Sequence, residues 1–269
     1  MLNSLSRPEF QRKRRNKLLL RLGLFFFTFV FLVGLVSYAA HRPSIRISNV
    51  ELVGGVLVTQ SDVAEKSQVF LSGSYFWLLP KNNGLWYPRG GLEKYLADEL
   101  KRIDTIHIER KSFNTIIVQI TERKPEALWC DKLSEEEKCY FLDQNSAIFA
   151  EAPNFSGDAY FKYYGLVSTA TPIGQYYIAS TTEFAEVRNF VENTKQLSLK
   201  PQYIIGKDAG EFSLIIGGGG QIYFDTKELL SKAASNLEAL LKTSALSQNI
   251  SHLDYIDLRF GNKLYYKLK

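Results

Sequence analysis

The sequence predicts an α+β chain: one N-terminal transmembrane helix, then two domains in which strands and helices mix, the second built on a larger, mainly antiparallel sheet. Three observations carry this. Leu22 to Ala40 runs 19 residues without a charge. The next stretch, residues 44–124, orders its local patterns as β-α-α-β-β. After Pro125 the texture changes to short strand-like pieces separated by turn residues, with two amphipathic helices among them. The expected layout is a basic tail over 1–21, a membrane helix over 22–40, a small domain over 44–124 and a larger domain over 125–269.

At about 1.5 Å per residue, the apolar run just spans a hydrocarbon core of about 30 Å. Arg7, Arg12, Lys13, Arg14, Arg15, Lys17 and Arg21 crowd the residues up to its start, against the single acid Glu9. Lys and Arg stay on the cytoplasmic side, so the N-terminus is expected inside a cytoplasmic membrane and everything after His41 outside it. The alternative is a cleavable signal peptide, for which Ser37-Tyr38-Ala39 offers small residues near a cleavage point. Against it, the uncharged stretch exceeds the apolar region of about 7–15 residues usual for such peptides. The chain carries +5 overall and the first 21 residues +6, so residues 22–269 sum to −1. A nucleic-acid partner would need basic residues clustered on the folded part, and none is expected. The tail is an orientation signal, with anionic-lipid contact as a secondary role.

In the first domain, Ile45–Val53 alternates and is rich in β-branched residues, which predicts a strand ended by Gly54-Gly55. Thr59 with Asp62 marks a helix start, with Val63, Phe70 and Leu71 on its apolar side. A long loop with Pro80, Asn82-Asn83-Gly84 and Pro88 carries Tyr75, Phe76, Trp77, Trp86 and Tyr87, aromatics expected to cap the small core. Gly91–Arg102 reads as a short amphipathic helix, and strands follow at Ile103–Lys111 and Thr115–Glu122.

In the second domain, strands are expected at Ala127–Cys130, Cys139–Asp143, Ala147–Ala150 and Tyr160–Leu166. A helix over Thr182–Leu197 places Phe184, Val187, Phe190 and Val191 on one side, with Ser180 and Glu183 as a capping box. Strands at Gln202–Ile205, Glu211–Ile216 and Gln221–Phe224 lead to a second helix opened by Asp225 and Glu228. The chain closes with strands Leu253–Arg259 and Lys263–Leu268 around the turn Gly261-Asn262. The cysteines are Cys130 and Cys139. Outside the membrane an even pair predicts a disulfide across the base of the charged loop Asp131–Lys138, with free thiols as the alternative. A zinc site would need a second Cys or His pair at ligand spacing, and there is none.

No catalytic set stands out. Gly217–Gly220 joins two predicted strands and no Lys-Ser or Lys-Thr pair directly follows it, so it reads as a hairpin turn and not a phosphate loop. His41, His107 and His252 are scattered, and neither a Gly-x-Ser-x-Gly elbow nor a Ser-x-x-Lys pairing occurs. The expectation is a non-enzymatic protein without cofactor or metal.

Residues 106–129, IHIERKSFNTIIVQITERKPEALW, resemble the end of a POTRA domain in the FtsQ/DivIB family of bacterial division proteins. That family has an Arg-x-x-Pro-Asn-Thr-Leu turn and a Glu-Arg-x-Pro-x-Ala-x-Trp exit; here Phe113 replaces the proline and Ile116 the leucine. Residues 139–149, CYFLDQNSAIF, are similar to the family's Asp-x-x-Gly-x-x-Phe hairpin, with Ser146 for the glycine. Residues 256–266, IDLRFGNKLYY, are close to its terminal hairpin. The resemblance covers the full length, tail and anchor included. It implies a scaffold of the division septum that brings bitopic proteins of the FtsB/DivIC and FtsL type, and through them the septal wall synthase, to mid-cell. Family members dock the coiled-coil partner on the last strand, which implies binding roles for Tyr255, Leu258, Arg259, Phe260, Tyr265 and Tyr266. Ile108 and Arg110 match a region used for recruitment. Two other readings compete: a POTRA-bearing subunit of an extracytoplasmic secretion or envelope-assembly system, and a secreted enzyme released after Ala39.

Overall fold

A computed structural model of the chain describes residues 7–269 except 135, 156, 158, 169, 208–209, 228, 244–249 and 262. It is a mixed α+β structure in two compact units, Met1–Glu122 and Arg123–Lys269. The predicted positions of Glu228 and Asn262 lie outside the described residues.

The first unit begins with α1 (Arg7–Ala40), a helix of 34 residues. The basic segment expected as a tail continues the helix, because Arg, Lys, Leu and Gln are good helix formers and no proline follows Pro8. Its part Arg14–Ala40 is long and apolar enough to cross a membrane. Leu24, Phe25, Phe26 and Phe27 point to successive sides of the helix and all are exposed, so no protein core buries this stretch.

The strand β1 (Asn49–Val53) is shorter than its pattern, since Ile47 N–H donates to Asn82 O at 2.7 Å and is drawn out of the ladder. At the end of β1, Gly54 has φ of +92°, and a Cβ there would lie 2.1 Å from the Ile120 carbonyl oxygen, so only glycine fits. Helix α2 (Gln60–Leu71) starts on a complete capping box: Thr59 Oγ1 accepts from Asp62 N–H, and Asp62 Oδ2 accepts from Thr59 N–H. A short hairpin, β2 (Ser74–Tyr75) and β3 (Leu79–Pro80), precedes α3 (Arg89–Glu99). Then come β4 (Ile103–Arg110) and β5 (Thr115–Glu122).

The sheet order is β1-β5-β4, with β1 parallel and β4 antiparallel to β5. Val63, Leu71, Leu92, Leu96, Ile108 and Val118 fill the core between this sheet and the two helices. The Glu122 carboxylate accepts from the N–H groups of Val56, Leu57 and Val58 at 2.7, 2.8 and 2.8 Å. Burial pushes this carboxyl up, but the three hydrogen bonds outweigh it and hold its pKa below the ordinary value.

The aromatic loop does not cap the core throughout. Phe76 and Trp77, at the tip of the β2–β3 hairpin, are 90% and 93% exposed. Their φ values of +48° and +60° match the two central positions of a type I′ turn. Bulky residues take that left-handed backbone at a cost of about 1–2 kcal/mol each, so the tip is turned away from the core against local preference.

The second unit has one nine-stranded sheet. Its strands are β6 (Ala127–Cys130), β7 (Cys139–Leu142), β8 (Ile148–Glu151), β9 (Lys162–Gly165), β10 (Pro201–Lys207), β11 (Glu211–Ile216), β12 (Gln221–Asp225), β13 (Leu253–Phe260) and β14 (Lys263–Leu268). The spatial order is β14-β13-β12-β11-β10-β9-β6-β7-β8. Most neighbours are antiparallel, while β6–β9, β9–β10 and β12–β13 run parallel. Parallel pairs require crossovers: β6 reaches β9 through β7 and β8, while the other two crossovers carry α4 (Thr181–Gln196) and α5 (Leu230–Leu241).

Ser180 Oγ caps α4 by accepting from Glu183 N–H at 3.2 Å, which is one half of the expected capping box. Helix α5 starts later than Asp225 predicts, because that carboxylate accepts from Lys227 N–H and closes a turn instead. Both helices lie on one face, where Trp129, Phe184, Phe190, Phe212, Phe224 and Ile256 are buried. A smaller apolar cluster (Leu128, Cys130, Tyr164) sits on the other face. Cys130 and Cys139 face each other across β6 and β7 and form a disulfide at a Cα–Cα distance of 4.1 Å. Gly217–Gly220 is the turn between β11 and β12, closed by Ile216 N–H donating to Gly220 O at 2.9 Å.

Candidate partner-binding edge

The two edges of the large sheet are treated differently. At one end, β8 is covered by a loop: Ile148 N–H donates to Gln175 O at 2.9 Å and Gly174 N–H donates to Ile148 O at 2.7 Å. At the other, β14 pairs with β13 on one side and, among the described residues, with no strand on the other. An uncovered edge presents backbone donors and acceptors to any strand that fits. Lys263 and Lys267 on β14 are the kind of charge that discourages indiscriminate pairing.

Alternation sorts the candidate residues. Leu253, Ile256 and Leu258 of β13 point into the helix-covered core. Leu258, expected at the interface, is therefore 7% exposed and serves the core. On the open face, Tyr255 packs on Tyr223 with ring centroids 5.9 Å apart. Arg259 shares that face: its Nε donates to Asp257 Oδ1 at 2.9 Å, Nη2 to Asp257 Oδ2 at 2.7 Å and Nη1 to Glu211 Oε2 at 2.9 Å. Its guanidinium lies 5.4 Å from the Tyr223 ring centroid. The arginine is thus fixed by two carboxylates and one ring, a pre-ordered cation beside an open edge.

Phe260 and Tyr265 form an edge-to-face pair at 5.2 Å, and are 55% and 50% exposed. Tyr266 stands opposite Ile256 and is also exposed. Aromatic and Arg side chains are the usual anchors of protein interfaces. The contributions of Asp257, Glu211 and Tyr223 were not visible in the sequence. Glu211 lies 48 positions from Arg259, and only the strand order brings them together.

In the first unit, Ile108 is fully buried in the core and its backbone N–H donates to Glu93 Oε1 at 2.8 Å. Its side chain offers a partner nothing. Arg110 donates to Gly84 O at 2.9 Å and covers the Phe113 ring at 5.6 Å.

Cys130, Glu137 and Cys139 bring ligand atoms within 4.8 Å of one another. Both sulfurs are committed to the disulfide, and the Glu137 carboxylate binds Lys162 and accepts from the Tyr164 hydroxyl at 2.7 Å. The donor set does not fit a cation in this state.

The Asp257–Arg259 pair predicts a pH response. Burial pushes the Asp257 carboxyl up, but the Arg259 hydrogen bonds prevail and its pKa lies below the ordinary value. A carboxylate lowered in the folded state adds stability above its unfolded pKa of about 3.9 and loses it as pH falls through the folded value. Thermal melts of the full chain should therefore show a steeper acid loss for the wild type than for Asp257→Asn; parallel curves would show that the pair is uncoupled from folding.

No protein-family model and no curated protein matches the chain.

Proposed function

We propose that the protein is a non-catalytic scaffold, anchored in a bacterial cytoplasmic membrane by α1 with its N-terminus inside and both folded units outside. The observation that carries this is an uncovered, aromatic-bearing edge strand, β14, in a chain that begins with an apolar helix long enough to span a bilayer. A partner strand or amphipathic segment would complete the edge, with Tyr255, Arg259, Phe260, Tyr265 and Tyr266 supplying side-chain anchors. The first unit reads as a POTRA-type domain, supported by its mixed three-stranded sheet packed on two helices, with the short β2–β3 hairpin added between them. With the motif resemblance, this points to the FtsQ/DivIB family: partners of the FtsB/DivIC and FtsL type, and recruitment of septal wall synthase at the division septum. Tethering both partners in one membrane raises their effective concentration without new contacts.

The test is co-purification of the full chain with the cell's coiled-coil FtsB/DivIC-type protein from co-expressing membranes, against a version ending at residue 262. The full chain should retain the partner and the shortened chain should lose it. Equal retention, or wall-hydrolase activity in the purified chain, would overturn the scaffold reading.

A further inference from the structure

Phe76 and Trp77 are the two most exposed large apolar side chains among the described residues. They sit side by side on a hairpin tip whose backbone is left-handed at both positions. That hairpin is not remote from the apolar helix. Ser37 Oγ, one turn before the end of α1, donates to the Leu78 carbonyl oxygen at 2.7 Å. Buried Asn83 donates through Nδ2 to Ala40 O, the last residue of the helix, at 3.0 Å. The hairpin is thus pinned beside the final apolar turn, three residues or about 4.5 Å of helix rise from its end.

We propose that this tip is a lipid-contact site: Phe76 and Trp77 enter the interfacial zone of the leaflet from which α1 emerges. The inference rests on the membrane-anchor reading above. Tryptophan favours the headgroup level, where one end of its ring is wet and the other apolar. The surrounding charges suit the same depth. Lys81 Nζ lies 5.9 Å from the Tyr75 ring centroid, and the Arg42 guanidinium 4.9 Å from the exposed ring of Tyr38. Cations on amphipathic stems beside aromatic rings match lipid phosphates above and acyl chains below. A second contact at the base of the helix limits the swing of the first unit about the anchor, where a single flexible link would leave it free.

Tryptophan fluorescence reads this directly, because α1 contains no tryptophan and Trp129 is buried, which leaves Trp77 and Trp86 as the accessible reporters. The full chain is reconstituted in phosphatidylcholine vesicles, with and without lipids brominated near the headgroup end of the acyl chains. Brominated lipid should quench wild type and Trp86→Phe alike, and Trp77→Phe should lose more than half of that quenching. Flotation after a carbonate wash is scored on the same samples. A chain that floats while Trp77→Phe is quenched as strongly as wild type overturns the lipid contact alone, and leaves the tip as a protein-contact surface. A chain that washes off overturns the anchor and the lipid contact together.

Discussion

If β14 is the proposed docking site, replacing Tyr265 and Tyr266 together by Lys is expected to weaken binding of the proposed coiled-coil partner about a thousand-fold while leaving the far-UV circular dichroism spectrum unchanged. Both side chains are about half exposed on the edge strand, so the fold loses little with them. A Tyr that anchors an interface contributes about 2 kcal/mol or more. Two such losses amount to about 4 kcal/mol, or three decades of affinity. The substitution also places four lysines in five positions, since Lys263 and Lys267 flank the pair, and like charges on one edge repel an approaching strand only where it carries cations. Calorimetric titration with the purified partner segment measures the effect. A dissociation constant within a few-fold of wild type would remove the edge strand as the docking site, whatever the fold.

Trp129→Ala is expected to lower the melting temperature of the second unit by about 12 °C. Trp129 is fully buried, its Nε1 donates to Gly165 O at 3.0 Å, and its ring lies 5.8 Å from that of Tyr140. Truncating a buried Trp costs about 3–5 kcal/mol through lost transfer and residual cavity. For a unit of this size each kcal/mol shifts the midpoint by about 3 °C. Near-UV circular dichroism through a melt would follow it, and Trp129→Phe should recover part of the loss. A shift below about 3 °C would mean that the surrounding strands collapse onto the vacated space.

These two sites mark what local pattern conveys. The terminal strand was readable from alternation and a Gly turn, and so was the strand that carries Trp129, though not the burial of its ring. The capping box at Thr59 and the cap at Ser180 were equally legible, because a cap is settled within four residues. In the first unit β1, α2, α3, β4 and β5 come in the expected order, but the hairpin β2–β3 stands where a loop was expected. The aromatics Phe76 and Trp77 misled, because a sequence records that a ring is apolar and not which way a tight turn points it. Leu258 and Ile108 show the matching limit: which face of a strand is covered depends on elements distant in the chain.

The sequence by itself determined that the chain carries a spanning-length apolar helix, that its folded part is nearly neutral, and where most of the strands and helices lie. These are properties of composition and of periods shorter than about four residues. Only the tertiary structure decided the strand order that leaves β14 open and β8 covered, the carboxylates that fix Arg259, and the pinning of the Phe76–Trp77 tip beside the end of α1. Each is a meeting of residues far apart in the chain. No local propensity specifies such a meeting; it arises because burying one face of each element leaves few ways to arrange the rest.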